Sequence, residues 1–207
     1  MTTPTHLRTR PYTAPRTRAR ILEAARLELG RDPDCTLADI AEAAGVARRS
    51  VYVHFTGRAA LVEGLAADAA EAVRLASEAS RTPSPDPATA LACFVLTLWP
   101  AADRYLVLVN LARQDLGAHR VTEVLTPART AVAGILAQGQ RQGVFHTTVP
   151  PGPLSRALEA YLLSLLETSD STPWTNDGPT AATTTLIAAG VDNARATATV
   201  HHLHTTT

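Results

Sequence analysis

Lysine is absent from this chain of 207 residues, so all nineteen of its basic side chains are arginine. With heavy use of alanine, threonine and proline, that absence points to genomic base composition more than to a function. Cysteine is scarce: Cys35 and Cys93 lie far apart and lack metal-ligand spacing. The expectation is two reduced, partly buried thiols, with a redox sensor as the open alternative. No uninterrupted apolar run reaches the length of a membrane span, and no apolar segment follows the N-terminal arginines as it would in a secretory signal. The expected location is therefore cytoplasmic, with no membrane partner. No glycine-rich phosphate loop or zinc spacing occurs, and His54, His119 and His146 lack an acid partner or nucleophile in a recognisable arrangement. No catalytic residue, metal or cofactor is expected, and the chain does not read as an enzyme. No alternating strand pattern or internal repeat is present either, which leaves an all-α protein.

The net charge of zero argues at first against a nucleic-acid partner, but its distribution reverses that. Residues 1–58 carry ten arginines against six acids, and residues 59–207 carry nine arginines against thirteen acids. A basic module on an acidic body is an electrostatic footprint for DNA. The segment 1–14, rich in threonine, proline and arginine, is expected to be a disordered basic arm. Arg8, Arg10, Arg16, Arg18 and Arg20 make this end basic, and it reads either as a solvated tail or as an arm on phosphates or a minor groove. Residues 15–60 form the expected DNA-binding domain, and 61–207 a helical effector-binding and dimerisation domain.

A first helix is expected from Pro15, with Ile21, Ala24, Ala25, Leu27 and Leu29 as its apolar face. The stretch Gly30 to Cys35 breaks it. Thr36 then suits an N-cap, with Asp39 completing a capping-box variant. Leu37, Ile40, Ala41 and Ala44 form the stripe of a short helix, Gly45 permits a sharp turn, and a new helix runs from about Ala47 to His54. Val51, Tyr52 and part of Phe55 are expected inward; Arg48, Arg49, Ser50 and Val53 outward. Further helices are expected at about 58–80, 89–99, 103–114, 121–142, 154–167 and 180–198. Breaks are expected at the prolines of 81–88 and at Pro100, and Pro127 could divide the 121–142 helix. The last helix is rich in threonine and needs packing to hold it.

Residues 35–55 therefore describe a support helix, a tight glycine turn and a recognition helix, the elements of a helix-turn-helix. Arginines at the start of the second helix stand at the end that enters a major groove, where each can bond guanine O6 and N7 for about 1–3 kcal/mol of discrimination. Arg48, Arg49 and Ser50 are the candidate base readers. Tyr52 and His54, rings with polar edges, suit phosphates, as does the N-terminal end of the Thr36 helix.

These residues closely resemble the TetR family of transcriptional regulators. The shared pattern, over about residues 15–62, is Thr36, Ile40, Ala41, Ala44, Gly45 and Val46, then Tyr52 and Phe55, then Arg58 and Leu61. The resemblance implies a homodimer on a palindromic DNA operator, usually a repressor. It also implies that a small-molecule effector in the C-terminal body alters the spacing of the recognition helices. By the same analogy Thr36, Tyr52, His54 and Arg58 look like phosphate contacts, and Arg48, Arg49 and Ser50 like groove residues. Arg49 stands where the family commonly has a small residue, and Arg58 where it usually has lysine.

In the body, the helices 154–167 and 180–198 are the expected dimer seam. Leu158, Tyr161, Leu162 and Leu165 would face a partner, and Ala181, Ala182, Ala188 and Ala189 would permit close approach. Those leucines read equally as monomer core. Phe94, Leu98, Trp99 and Tyr105 could line an apolar effector pocket with Arg113, Arg104, Asn110 or Gln114 as polar groups, although Phe94 and Trp99 also suit plain core. The surroundings call for a largely hydrophobic or aromatic ligand. His201, His202 and His204 read as a flexible tail. The competing classes are a helical interaction module that does not bind DNA and, last, an all-α enzyme.

Overall fold

The computed structural model describes residues 14–79, 85–111, 117–167 and 177–206. These hold nine helices and no strand among the described residues: α1 (Ala14–Arg31), α2 (Leu37–Ala43), α3 (Arg48–His54), α4 (Arg58–Ala79), α5 (Pro87–Leu111), α6 (Ala118–Arg141), α7 (Pro151–Glu167), α8 (Gly178–Ala188) and α9 (Asn193–Thr206). The chain divides into two compact units between Leu65 and Ala66. No helix of the described residues is long and apolar enough to cross a membrane. The arm expected over 1–14 falls outside the described residues except for Ala14, which opens α1; Arg16, Arg18 and Arg20 are helical.

In the first unit, Ile21, Leu22, Ala25 and Leu29 of α1 are buried with Ile40 and Ala41 of α2, Val51 of α3, and Leu61 and Leu65 of α4. Complete burial of one such leucine or isoleucine contributes about 1.5–3 kcal/mol. Leu27 does not join them and is 43% exposed. It lies two residues, about 200° of helix, beyond Ala25, on the opposite side of α1. Phe55 is buried against α4 because Gly64 leaves room: a Cβ there would stand 2.7 Å from the Phe55 ring.

In the second unit α5 is the central helix, packing on α6, α7, α8 and α9. Its sequence is apolar nearly all round, as a surrounded helix must be. The core joins Leu91 and Val95 of α5, Leu136 of α6, Leu154 and Leu158 of α7, Leu186 of α8 and Val200 of α9.

Three expectations of the sequence are corrected here. Pro100 does not end its helix, since α5 runs unbroken through it. Its ring lies on the exposed face, where water can satisfy the carbonyl that lost its donor, while packing on the other faces holds the helix. Pro127 likewise sits inside a single α6. The final expected helix is two, α8 and α9, with the chain turning at Gly190 at φ +103°. The turn packs against His146, whose N–H donates to Ala189 O at 3.1 Å. The terminal histidines are therefore in α9, anchored by buried Ala196 and Val200, and not in a flexible tail.

Candidate functional site

Two short helices cannot hold an orientation by their own hydrogen bonds, so the helix-turn-helix depends on caps and braces. Thr36 caps α2: its Oγ1 accepts from Asp39 N–H at 3.3 Å, and the Asp39 carboxylate accepts from Thr36 N–H at 2.8 Å and from the Thr36 hydroxyl at 2.7 Å. Those bonds, the hydroxyl's first, hold the Asp39 carboxyl below its ordinary value. After α2 the chain turns at Gly45, whose φ is +60°. Arg20 reaches across from α1 and donates Nη2–H to Ala44 O at 2.6 Å and Gly45 O at 3.2 Å. A cation there also complements the carbonyl end of the α2 dipole.

Arg58 braces the other end. Its guanidinium donates to Pro33 O at 2.6 Å and Cys35 O at 3.3 Å, tying the α1–α2 loop to the start of α4. A phosphate at Arg58, as the resemblance implied, would have to share those donors. Burial pushes the Cys35 thiol up against the opposing pull of Arg58, and burial alone pushes up Cys93. Both cysteines are free thiols.

This frame presents α3. Arg48, Arg49, Tyr52 and Val53 are exposed, Ser50 and His54 are half-buried, and Val51 is buried. Tyr52 was expected inward but is 45% exposed, and Val53 is 80% exposed. Tyr52 and Val53 therefore extend the face begun by the arginines. Among the described residues, no acid or carbonyl is paired with Arg48 or Arg49. His54 packs its ring beside Phe55 at 6.4 Å between centroids, and the Arg18 guanidinium lies over the Phe55 ring at 5.4 Å. Position alone separates such roles: the sequence could not show that Arg20 and Arg58 are turned onto carbonyls of the chain while Arg48 and Arg49 are not.

The second unit contains a partly open cleft of about 660 Å³, the solvent at its mouth included, walled by α5, α6 and α7 with Thr185 from α8. Phe94, Leu98 and Trp99 line it, and so do Leu158 and Leu162, which were expected at a dimer seam. Leu158 is buried within the single chain, because its side of α7 faces α5 and α6. Tyr161 and Leu165 are half-buried. Ala181, Ala182 and Ala189 are fully buried, and α8 packs chiefly on α5. The small residues thus permit close approach to α5 of the same chain, while Ala188 and Ile187 stay exposed. A neighbouring cleft of about 610 Å³, again counting the solvent at its mouth, has Tyr105 in its wall, and Leu98, Ala102, Leu125 and Leu163 belong to both. The Tyr105 hydroxyl donates to Asp68 at 2.6 Å. Arg113 and Gln114 lie outside the described residues.

The polar groups of the first cavity were not foreseen. Arg129 of α6 forms a two-pronged ion pair with Glu159 of α7, Nε to Oε2 and Nη2 to Oε1, the latter at 2.7 Å. Ser155 donates to Arg129 O at 3.1 Å. His119, read from sequence as lacking an acid neighbour, has Glu123 at 3.2 Å on an exposed helix face. Among the described residues no group of three or more histidine, cysteine or acidic side chains could hold a metal ion.

Residues 21–65 match the family model of bacterial regulatory proteins of the tetR family. No curated protein sequence matches the chain. Among solved structures, the TetR family protein CprB from S. coelicolor A3(2) is similar at a TM-score of 0.72 and 20% identity, over 94% of this chain and 99% of that one. The MbdR regulator from Azoarcus sp. CIB is similar at a TM-score of 0.70 and 19% identity, over 84% and 97%. RolR in complex with the ligand resorcinol is similar at a TM-score of 0.53 and 21% identity, over 92% and 96%. The chain shares the fold of these TetR-family regulators, and its residues 21–65 match that family's N-terminal model.

Proposed function

We propose that this protein is a ligand-responsive transcriptional regulator, acting as a repressor, which binds a palindromic operator as a homodimer and leaves it when a small, mostly apolar effector binds. The observation that carries the reading is the α3 face. Arg48 and Arg49 are exposed side by side and without a partner among the described residues, while Thr36, Arg20 and Arg58 brace the frame that holds them. Arg48, Arg49 and Ser50 read bases in the major groove. Tyr52, His54 and Thr36 contact phosphates, and Arg58 serves first as a brace and second as a phosphate neighbour. A module of this size reads too few base pairs alone, so two copies related by a dyad supply selectivity. The seam uses α7 and α8 through Tyr161 and Leu165, joined by Ile187 and Ala188 in place of the inward Leu158.

The effector occupies the α5–α6–α7 cavity. RolR, of similar fold, holds resorcinol, which supports a small ligand in such a body. Selection from a random duplex library, with the purified protein at moderate salt, tests the reading. A recovered palindrome whose half-sites lie about one or two helical turns apart is the expected result. No enrichment from folded protein, or a monomer by light scattering at micromolar concentration, refutes it.

A further inference from the structure

We infer that the α5–α6–α7 cavity is built for an uncharged, mostly apolar molecule carrying a hydroxyl, and that it rejects carboxylates of the same shape. This deepens the effector reading above and rests on it. The wall is carbon from Phe94, Leu98, Trp99, Leu158 and Leu162, with four polar side chains among the lining residues, and each of those is satisfied within the chain. Arg129 and Glu159 neutralise each other through two parallel hydrogen bonds, with both side chains 20% exposed. Ser155 donates to Arg129 O, and Thr185 donates to Ala181 O at 2.7 Å.

An entering carboxylate finds the Nε–Nη2 edge of the guanidinium filled by Glu159, with Nη1 donating to Thr122 O at 3.4 Å. The pair it meets is already neutral, so it must displace Glu159 and leave a second carboxylate unpaired, share the remaining Nη N–H groups beside the Glu159 charge, or sit unpaired against carbon. An alcohol or phenol meets neither cost. Its apolar body takes the carbon wall, and its O–H can donate to a remaining lone pair of the Glu159 carboxylate without disturbing the pair. Arginine in an effector cavity would ordinarily suggest an anionic ligand; the bidentate acceptor thirty residues away cancels that reading here.

Decanol and decanoate, matched in length and differing in charge, are the probes. Trp99, alone in a Trp174→Phe background, reports binding by its fluorescence because it lines the cavity. Decanol should bind and decanoate should bind about ten-fold or more weakly. Glu159→Gln keeps the shape but removes the neutralising charge, so decanoate should gain about ten-fold while decanol, whose hydroxyl then meets a weaker amide acceptor, should gain nothing. The double replacement Arg129→Met with Glu159→Leu, which removes both charges and the hydroxyl's acceptor together, should weaken decanol binding by about five-fold, the loss of one hydrogen bond, and still refuse decanoate. Wild-type protein that binds decanoate as tightly as decanol overturns the inference and leaves the effector cavity standing. The same holds if Glu159→Gln gains nothing for decanoate. Failure of both probes to bind wild-type protein overturns the cavity reading itself, and the inference with it.

Discussion

Replacing Gly45 by alanine tests whether the turn between α2 and α3 sets the aim of the recognition helix. Gly45 sits at φ +60°, a left-handed conformation that costs an L-residue about 1–2 kcal/mol. Alanine recovers about 0.4–1 kcal/mol by narrowing the unfolded ensemble. The new Cβ would also stand 3.2 Å from Arg20 Nη2, at the tip of a flexible side chain that must give by a few tenths of an ångström. That shift stretches its bonds to Ala44 O and Gly45 O, at a cost of up to about 1 kcal/mol. The expected loss is about 1–2 kcal/mol, measured as a shift in urea midpoint at fixed protein concentration. Gly57→Ala is the control: it has no neighbour within 4 Å of its Cβ and no left-handed φ, so it should change stability by about 0.5 kcal/mol or less. A protein stable by several kcal/mol stays folded after such a loss. Any fall in operator affinity at low temperature then measures a re-aimed α3, not unfolding. Gly45→Ala with wild-type midpoint and wild-type affinity would refute the argument.

Arg48→Ala and Arg49→Ala should each weaken operator binding by about 1–3 kcal/mol in a fluorescence titration while leaving the melting temperature unchanged, since both side chains are exposed and lack intramolecular partners among the described residues. A variant that loses only a phosphate contact should instead lower the slope of log affinity against log salt by about 0.9. In α6, Gly134→Ala meets open space and should stabilise by about 0.5–1 kcal/mol, whereas Gly139→Ala would put its Cβ 2.1 Å from the buried Phe145 ring. About 3 kcal/mol of overpacking against about 1 of helix propensity leaves Gly139→Ala some 2 kcal/mol less stable, and equal midpoints for the two variants would contradict this. The Asp39 carboxyl lies below its ordinary value of 3.8 in the folded chain, so its stabilising share is full above that value and is lost as pH falls through the folded one. Asp39→Asn should accordingly reduce the acid sensitivity of the first unit's unfolding below about pH 4, followed by helical circular dichroism. Tyr161→Glu together with Ile187→Glu should shift the protein toward monomer in light scattering, because both are offered to the proposed seam and neither is buried in the single chain.

Short-range signals in the sequence carry the first unit. Thr36 and Asp39, three residues apart, specify a capping box, and it forms. Gly45 after an apolar stripe specifies a left-handed turn, and it turns there. Helices α1 to α4 follow from such patterns. The body is less legible because its signals are not local. A proline reads as a break until it is known that the other faces of α5 are packed, which depends on α6, α7, α8 and α9. The end of α8 depends on Gly190 lying against His146, 44 positions earlier in the chain. Leucines of α7 carry the same pattern whether they face a partner copy or the chain's own core; only the fold shows Leu158 and Leu162 at the cavity.

Arginine shows most clearly why charge counting reaches the right module for an incomplete reason. The N-terminal excess suggested a surface held ready for phosphates. Yet Arg20 and Arg58 each donate to two backbone carbonyls, Arg26 pairs with Glu23, and Arg31 with Glu28. A guanidinium can do this because its planar fork presents several donors at once, where an ammonium offers a point charge. In a chain without lysine, the same side chain must serve as internal brace and as external contact. What assigns the role is whether an acceptor lies within reach of the fork. At Arg129 the acceptor is Glu159, and the charge is spent inside the body. At Arg48 and Arg49 no acceptor is paired among the described residues, and the first turn of α3 holds two forks turned outward. Introducing an acid one turn on, as in Tyr52→Glu at i+4 from Arg48 and i+3 from Arg49, should therefore weaken operator binding by more than loss of the phenol hydroxyl in Tyr52→Phe. It would place a negative charge toward phosphates and supply the guanidinium groups with the partner they lack. Equal affinities for the two variants in the operator titration would mean that Arg48 and Arg49 do not face the DNA.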